Sequence, residues 1–203
     1  MRLSAVPGLP TRAVVGDWWR AARLQYLPDP LATAHTRSRP GRFNAGSADR
    51  PGPEVLYLSA DLLVAQIEVG MVLGSLDPGR SILPNPAAVG WSLLPVKVRL
   101  AAVVDLTAPT VVAELRTSFQ ELTGDWEGYT DRPVVPPLRQ PHWTNVPTQR
   151  LGQALAAAGV DGFLTFSARA ATRQNLIVFP ANLDAANSLV CTDPSTGVTH
   201  RRP

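Results

Sequence analysis

Hydrophobic residues alternate with polar ones in some stretches of this chain and recur every three or four residues in others. The first pattern is typical of β-strands and the second of amphipathic helices. On this basis strands are predicted at 55–58, 93–106, 163–166 and 175–179, and helices at 60–73, 110–122 and 144–158. The long segment 93–106 is predicted to form either two strands or one bent strand. Ser59 is expected to cap the first helix and Gly74 to end it.

An acidic residue, Glu68, interrupts the apolar face of the first predicted helix. The positions three and four residues away, which lie beside it on a helix, are all apolar: Val64, Ala65, Met71 and Val72. A buried carboxylate without a partner is strongly destabilising. Glu68 therefore either lies at an exposed edge of the helix or has a cationic or hydrogen-bonding partner, for which a nearby arginine loop is a candidate.

This arginine loop precedes the first predicted strand. Arg37, Arg39 and Arg42 lie next to Pro40 and Gly41, and proline and glycine interrupt regular structure. The three guanidinium groups are therefore predicted to lie in a loop, where they can bind an anion.

The composition is that of an ordinary globular protein. Hydrophobic residues make up 45% and charged residues 17% of the 203 residues, which excludes the disordered and coiled-coil classes. This length suits one domain with a sizeable core, predicted over 11–190 with flexible termini at 1–10 and 191–203. The net charge is +3, and the sequence contains no dense block of basic residues. Direct nucleic-acid binding is therefore not expected.

The sequence also disfavours several classes of site. Cys191 is the single cysteine, which rules out an intrachain disulfide and a cysteine-based zinc site. The three histidines are far apart, and no metal or other cofactor is predicted. Ser167 lies outside any G-x-S-x-G elbow, which argues against a serine hydrolase, and no Rossmann or P-loop glycine motif occurs. Because no signal segment and no apolar run of about 18 residues is present, a soluble cytoplasmic protein is expected.

Short segments along the chain, taken in order, carry a family resemblance. They are Gly41-Arg42-Phe43-Asn44, Leu56-Tyr57-Leu58-Ser59, Gln66-Ile67-Glu68-Val69, Phe166-Ser167-Ala168-Arg169 and Asn175-Leu176-Ile177-Val178. In order and spacing they resemble the RES-domain family, bacterial toxins that degrade NAD and are related in fold to ADP-ribosyltransferases. The resemblance extends from about Trp19 to Asn182.

The resemblance implies a fold and a set of site residues. The implied fold is α+β, a single ADP-ribosyltransferase-like domain with a mixed, mainly antiparallel β core and flanking helices. Glu68 is implied as the carboxylate that stabilises charge on the ribose, and Arg42 as the main ligand of the diphosphate or phosphate. Tyr57 is implied to shape the nicotinamide–ribose pocket, and Ser167 to donate a hydrogen bond to ribose or phosphate. Further substrate-binding residues implied by the resemblance are Arg20, Arg37 and Asn175.

The resemblance also implies an activity and a partner. The activity is cleavage of the nicotinamide–ribose bond of NAD+, with water or inorganic phosphate as the second substrate. Transfer of ADP-ribose to a protein and a catalytically silent nucleotide-binding module remain alternatives. The implied partner is an antitoxin with a helix-turn-helix DNA-binding domain.

Overall fold

The computed structural model describes residues 1–46, 51–74, 76, 81–127 and 146–203. The strands in these ranges are β1 (Thr11–Arg23), β2 (Leu56–Ser59), β3 (Val72–Gly74), β4 (Ile82–Pro84), β5 (Trp91–Asp105), β6 (Gly162–Phe166), β7 (Gln174–Val178), β8 (Ser188–Thr192) and β9 (Thr199–Arg202). The helices are α1 (Leu62–Glu68), α2 (Pro109–Glu114), α3 (Phe119–Thr123) and α4 (Pro147–Ala157). Short 3-10 helices occur at Leu3–Gly8, Leu24–Tyr26, Ala34–Ser38 and Pro180–Asn182.

The strands form one large sheet and one small one. Seven strands pair in the order β1-β2-β7-β6-β5-β8-β9, and β3 pairs with β4. β1 also pairs with β5, which closes β1, β2, β7, β6 and β5 into a ring. The β5–β6 pair is parallel and the other described pairs are antiparallel. The chain is therefore a mixed α+β single domain with a mainly antiparallel sheet, as predicted.

Hydrophobic side chains are buried on both faces of the central strands. Phe163 and Ile177 belong to one core cluster together with residues of α2 and α4. Their chain neighbours Leu164 and Leu176 belong to a second cluster with residues of β1 and β5. Because successive side chains of a strand point to opposite faces, the first cluster lies under the helices and the second inside the ring. Burial on both faces explains why β6 and β7 are nearly continuous hydrophobic runs.

The first helix is shorter than predicted. α1 ends at Glu68, and the predicted continuation to Gly74 forms β3 instead. The helix stops because Gly70 has a φ of +72°, and the Gly70 and Met71 amides bond back to the carbonyls of Ile67 and Gln66. This arrangement is the Schellman ending for which glycine is the favoured residue.

The start of α1 also differs from the prediction. The N-cap is Asp61, whose carboxylate accepts a hydrogen bond of 2.9 Å from the Val64 amide. Ser59 is instead the last residue of β2. Two residues, Ala60 and the cap Asp61, separate the strand from the helix and allow the chain to turn, which the hydrophobic pattern does not reveal.

The predicted helix 110–122 is broken in two. Arg116 has a φ of +49°, a left-handed conformation that ends α2 and is unfavourable for a residue with a side chain. α3 starts three residues later, where Ser118 accepts a hydrogen bond of 3.1 Å from the Glu121 amide. The buried residues of the two short helices keep the predicted apolar face, since Val111, Leu115 and Leu122 belong to one core cluster.

The other long elements agree with the sequence pattern. Segment 93–106 is a single strand, β5. α4 begins at Pro147 and is followed by Gly159, which has a φ of +77°. Among the helices that the structure describes, none is long and apolar enough to cross a bilayer.

Both termini, which were predicted to be flexible, contain residues that pack against the rest of the domain. Within 1–10, Ala5, Val6 and Leu9 are buried in the same cluster as α2 and α4. Within 191–203, Cys191 is fully buried, and β9 pairs with β8. Both ends therefore cover hydrophobic surface of the single domain, which removes that surface from water and stabilises their order.

Candidate active site

The segments with the family resemblance converge at one end of the ring. β2 pairs with β7, with Tyr57 opposite Ile177 and Ser59 opposite Asn175. α1 follows β2 after two residues and brings Glu68 to Asn175. β6 is the other neighbour of β7, and Ser167 follows its last residue.

Glu68 is held by two neutral donors. Its Oε1 accepts hydrogen bonds of 2.6 Å from the Ser167 hydroxyl and 2.6 Å from the Asn175 side-chain amide. The Ser167 oxygen itself accepts from the backbone amides of Arg169 and Ala170, at 3.2 and 2.9 Å. These two amides occupy the lone pairs of the hydroxyl, so its hydrogen is directed to Glu68. The predicted partner of Glu68 exists, but it is a hydroxyl and an amide rather than the arginine loop.

The second carboxylate oxygen of Glu68, Oε2, is not used by these two donors. Glu68 lines two neighbouring cavities, of about 280 and 480 Å³, which share Tyr57, Glu68 and Asn175 as common wall residues. Its Oε2 has no hydrogen bond to any other described residue. Ser167, by contrast, is 3% exposed and lies behind Glu68, outside the residues that line either cavity.

Tyr57 connects the cleft to the arginine loop. Its hydroxyl donates to Asn44 Oδ1 at 3.1 Å and accepts from the Phe43 amide at 3.3 Å. Burial of this hydroxyl raises the pKa of Tyr57 to about 12. The residue as a whole is 37% exposed, because the ring forms cavity wall while the hydroxyl points into the loop. Asn44 completes the connection by donating to the carbonyls of Thr36 and Arg39.

Arg42 lines the smaller cavity and is anchored from behind. Its guanidinium donates to the carbonyls of Leu122 and Gly124, at the end of α3. Burial lowers the pKa of Arg42, and the negative charge of Glu68 partly offsets this effect. The structure therefore brings Arg42, Tyr57 and Glu68 to one cavity.

Arg20 lines the larger cavity and carries a buried charge. It is 6% exposed, its Nη2 donates to the Ala32 carbonyl at 3.3 Å, and its Nε has no hydrogen-bond partner among the described residues. Burial lowers the pKa of Arg20 to about 10, so the side chain stays protonated at neutral pH. An enclosed cation with an unused donor is suited to an anionic ligand.

The other two arginines of the loop, Arg37 and Arg39, differ in position. Arg37 was predicted to bind substrate, but it is Arg39 that lies at the cleft. Arg37 is exposed and lines neither of the two cavities, whereas Arg39 lines the larger one. The 3-10 helix Ala34–Ser38 turns these neighbours in different directions. The sequence shows their proximity but not this rotation.

Several cavity residues have no signal in the sequence. Tyr26 and His35 stack at 4.2 Å with an interplanar angle of 11°, and Arg23 lies 4.0 Å from the ring centre of Trp91. All four line the larger cavity. The Arg23–Trp91 contact follows from the β1–β5 register, which no local pattern reveals.

The smaller cavity also contains acidic and aromatic residues from beyond α3. Asp125, Trp126 and Glu127 line it opposite Phe166 and Arg169. A third cavity, of about 470 Å³, adjoins α3 and the start of α4 and contains none of the predicted site residues. The described residues include no cluster of three or more potential metal ligands.

A comparison with protein families covers the part of the chain that forms this site. The model of the RES domain matches residues 17–199. The chain belongs to the RES-domain family. The matched region includes all four elements around Glu68 and both cavities.

Solved structures give a fold comparison for this RES domain. A chain of the M. tuberculosis MbcT–MbcA toxin–antitoxin complex is similar to it with a TM-score of 0.58 and 15% sequence identity. The similarity covers 99% of this chain and 88% of the other. At this identity it supports a shared fold only. No curated protein matches the RES domain in sequence.

Proposed function

We propose that this RES domain is the toxin of a toxin–antitoxin system and cleaves the nicotinamide–ribose bond of NAD+. The observation that carries the proposal is Glu68, a carboxylate fixed by two donors at the junction of two cavities. Family membership and the similarity in fold to a chain of a toxin–antitoxin complex support it. The proposal includes an ADP-ribosyltransferase-like fold and a cytoplasmic site of action.

The chemistry needs few groups. As nicotinamide leaves, positive charge develops on the ribose ring, and a preorganised carboxylate stabilises that charge. Glu68 Oε2 is the free acceptor for this purpose, since Oε1 is already bonded to Ser167 and Asn175. Ser167 and Asn175 are thus positioning residues, whereas Glu68 contacts the reacting sugar.

The charges of the two cavities suit the two ends of NAD+. The smaller cavity is lined by three carboxylates, Glu68, Asp125 and Glu127, and by the two arginines Arg42 and Arg169. The excess of carboxylates favours the cationic nicotinamide ring. The larger cavity contains Arg20 and Arg39 with Glu68 as its acidic wall residue, and arginines favour the diphosphate. In this orientation the bond to be cleaved lies at the junction, beside Glu68.

Arg42 and Tyr57 complete the proposed site. Arg42 supplies a fixed cation for a phosphate group, of NAD+ or of free inorganic phosphate. The Tyr57 ring separates the two cavities and supports the ribose and nicotinamide. In phosphorolysis a phosphate oxygen forms the new bond to the ribose C1 while nicotinamide leaves with the bonding electron pair.

The experiment that tests the activity uses purified protein and NAD+, with and without inorganic phosphate. Mass spectrometry of the ribose product distinguishes a phosphorylated ADP-ribose from ADP-ribose itself. Either product together with free nicotinamide supports the proposal. Intact NAD+ at high protein concentration would favour the silent nucleotide-binding module, and ADP-ribose attached to added protein would favour the transferase.

The proposal includes an antitoxin, expected to carry a helix-turn-helix DNA-binding domain. Arg39 at the cleft and Arg37 beside it offer cationic contacts to such a partner. We expect the antitoxin to bind there through a carboxylate or its chain terminus, because a carboxylate pairs with guanidinium groups in two parallel hydrogen bonds.

A further inference from the structure

The side chain of Asn44 uses both of its amide hydrogens inside the protein. Its Nδ2 donates to the Thr36 carbonyl at 2.9 Å and to the Arg39 carbonyl at 2.6 Å. Its Oδ1 accepts from the Tyr57 hydroxyl at 3.1 Å, and the residue is 2% exposed. A side-chain amide has only two hydrogens to donate. Asn44 therefore has no donor left for a ligand, although it lines the larger cavity.

The partners of Asn44 line the larger cavity from two parts of the chain. Thr36 and Arg39 line it from the arginine loop, and Tyr57 lines it from β2. The bond to the Arg39 carbonyl fixes the backbone from which this guanidinium extends. The bond to the Tyr57 hydroxyl fixes the orientation of the phenol ring. One buried amide thus holds a cation and an aromatic wall of the same cavity in place.

The turn around Asn44 leaves space for this side chain. Gly41 and Asn44 form a β-bridge, in which the Gly41 amide donates to the Asn44 carbonyl at 2.9 Å. A Cβ atom at position 41 would lie 2.6 Å from Asn44 Oδ1 and 3.2 Å from the Tyr57 hydroxyl oxygen. The φ of Gly41 is not positive. Glycine is therefore required at this position by the Asn44–Tyr57 contact and not by the backbone conformation.

Glu68 is held by a different set of contacts. Its Oε1 is bonded to Ser167 and Asn175, and none of the described hydrogen bonds of Asn44 reaches these three residues. The position of the carboxylate and the position of the Arg39 and Tyr57 side chains are thus set independently. A group that binds the ground state and the transition state equally changes KM and leaves kcat unchanged.

We infer that Asn44 is a positioning residue that sets the affinity of the larger cavity for its ligand through Arg39 and Tyr57. The inference rests on the proposed function, which makes NAD+ this ligand. It predicts that replacement of the Asn44 side chain raises KM for NAD+ and leaves kcat nearly unchanged. A residue with a structural role alone would change the amount of folded protein and neither constant of the folded enzyme.

Asn44→Asp tests the inference, because an ionised carboxylate offers no hydrogen to the two carbonyls. At neutral pH the KM should rise by about tenfold, since both donated bonds are lost, and kcat should stay within about twofold. Burial and the two carbonyl oxygens disfavour the ionised form, so the pKa of the introduced carboxyl should lie above the ordinary aspartate value. Protonation restores one donor. The ratio of the variant KM to the parent KM should therefore decrease as the pH falls from about 8 to about 5.5.

This ratio isolates the introduced carboxyl from other groups that titrate nearby. His35 interacts with Arg39, while Arg42 and Glu68 interact with Tyr57. All of these groups are present in both proteins and affect both KM values. Arginine and tyrosine side chains also stay protonated over this pH range. A ratio that changes with pH therefore reports the new carboxyl.

Asn182→Asp is the matched control. The Asn182 side-chain amide also donates to two carbonyls, those of Ala156 and Val160, at 2.9 and 2.8 Å. Asn182 lines neither the smaller nor the larger cavity. This variant should lose stability and keep the KM of the parent at every pH. Asn44→Ser is a second variant in case Asn44→Asp does not fold. It should raise KM severalfold and to the same extent at each pH, because serine does not titrate in this range.

Steady-state nicotinamide release gives KM and kcat, and calorimetric titration of NAD+ into the same variants on a Glu68→Gln background gives the affinity without turnover. An unchanged KM in both folded Asn44 variants would overturn the inference. Equal increases in the Asn44 and Asn182 variants, or a lower kcat at constant KM, would do the same. If the parent releases no nicotinamide and Asn44→Asp still weakens NAD+ binding, the proposed activity fails and the positioning role stands. A parent that neither binds nor cleaves NAD+ would overturn both.

Discussion

At the residue scale, the proposed chemistry depends on how one carboxylate is held. Glu68 has one oxygen bonded to Ser167 and Asn175, and the residue lines both cavities. The neutral donors fix the position of the carboxylate and leave its negative charge intact. A hydrogen-bonded arginine would neutralise that charge. The negative charge therefore remains available to a developing positive charge on the substrate.

Ser167→Ala is expected to reduce kcat by about tenfold with KM little changed, because it removes a donor that orients Glu68 and lies outside the cavity wall. Steady-state nicotinamide release measures both constants. Ser188→Ala on β8, outside both cavities, is the control and should leave kcat unchanged. Loss of substrate affinity at constant kcat would contradict this role and favour direct contact between Ser167 and substrate.

Tyr57 gives a prediction about how the stability of the fold depends on pH. The pKa of Tyr57 is raised to about 12 in the folded protein, above the ordinary value of about 10 in an unfolded chain. The contribution of the protonated phenol to stability is therefore complete below about pH 10 and decreases as the pH rises toward 12. Thermal unfolding between pH 9 and about 11 should show this decrease.

Tyr57→Phe should remove that part of the alkaline decrease, because phenylalanine does not titrate. At neutral pH it should cost about 1 kcal/mol of unfolding free energy through the lost hydrogen bonds to Asn44 and Phe43. Identical alkaline slopes for the two proteins would mean that the Tyr57 hydroxyl is not held as the structure shows.

The sequence singled out Glu68 because its helix neighbours are apolar, and a partner for the carboxylate was one of the two explanations that it offered. It could not name that partner, since Ser167 and Asn175 are 99 and 107 residues away along the chain. Only the pairing of β7 with β2 and β6 brings them to α1. Trp91 was missed for a similar reason, because its position depends on a strand register, and the different positions of Arg37 and Arg39 depend on a turn.

At the element scale, α4 supports the turn that carries Arg42. The Gln149 side-chain amide, which is fully buried, donates to the Gly41 carbonyl at 2.9 Å. One turn further along, Gly152 lies directly against the backbone of Phe43, and a Cβ atom at position 152 would overlap the Phe43 carbonyl. Helix α4 thus contacts the turn through its backbone as well as through a side chain.

Gly152→Ala is expected to destabilise the protein by about 1–3 kcal/mol, the usual cost of inserting a methyl group into a tightly packed site. Helix propensity alone would predict the opposite sign, since alanine is favoured over glycine by about 1 kcal/mol. Chemical denaturation measures the difference, and nicotinamide release should fall because Arg42 moves with the turn.

Gly8→Ala is the control for that substitution, because a Cβ atom at position 8 would meet no atom within 4 Å. It should leave both stability and activity nearly unchanged. A Gly152→Ala protein that is more stable than the parent would show that α4 does not press on the turn.

The sequence predicted part of the fold: the hydrophobic pattern gave no prediction for β1, β4, β8 or β9, and the errors in the other elements have local causes. The hydrophobic pattern identified β2, β5, β6, β7 and α4. The pattern joined α1 to β3 in one helix, because Gly70 was overlooked as the end of that helix. It also joined α2 to α3, because nothing in the sequence marks Arg116 as a residue with a left-handed backbone conformation. The ring itself was not predictable, since it depends on the long β1–β5 pairing between distant segments.

At the scale of the whole molecule, one domain contains both cavities and their junction. The core inside the ring and the core under the helices hold the strands from both faces. The packed N-terminal segment and the β8–β9 pair extend these cores. A rigid scaffold of this kind keeps Glu68, Arg20 and Arg42 at fixed separations, which binding of an extended dinucleotide requires.

Expression of this chain alone in bacteria is expected to lower cellular NAD+ and stop growth. The Glu68→Gln variant, expressed at the same soluble level, should do neither, because it lacks the carboxylate charge. Co-expression of a neighbouring gene that encodes the antitoxin should restore growth. Normal growth with unchanged NAD+ during verified soluble expression of the parent chain would contradict the toxin role.

Nicotinamide release from NAD+ by the purified parent protein and by Glu68→Gln tests the central claim most directly. Glutamine preserves the volume of the side chain and removes its charge. The parent should release nicotinamide, and the variant should do so about 10²–10³ times more slowly, with an unchanged unfolding temperature. Equal rates for the two folded proteins, or no release by the parent, would contradict the account of Glu68 as the catalytic carboxylate.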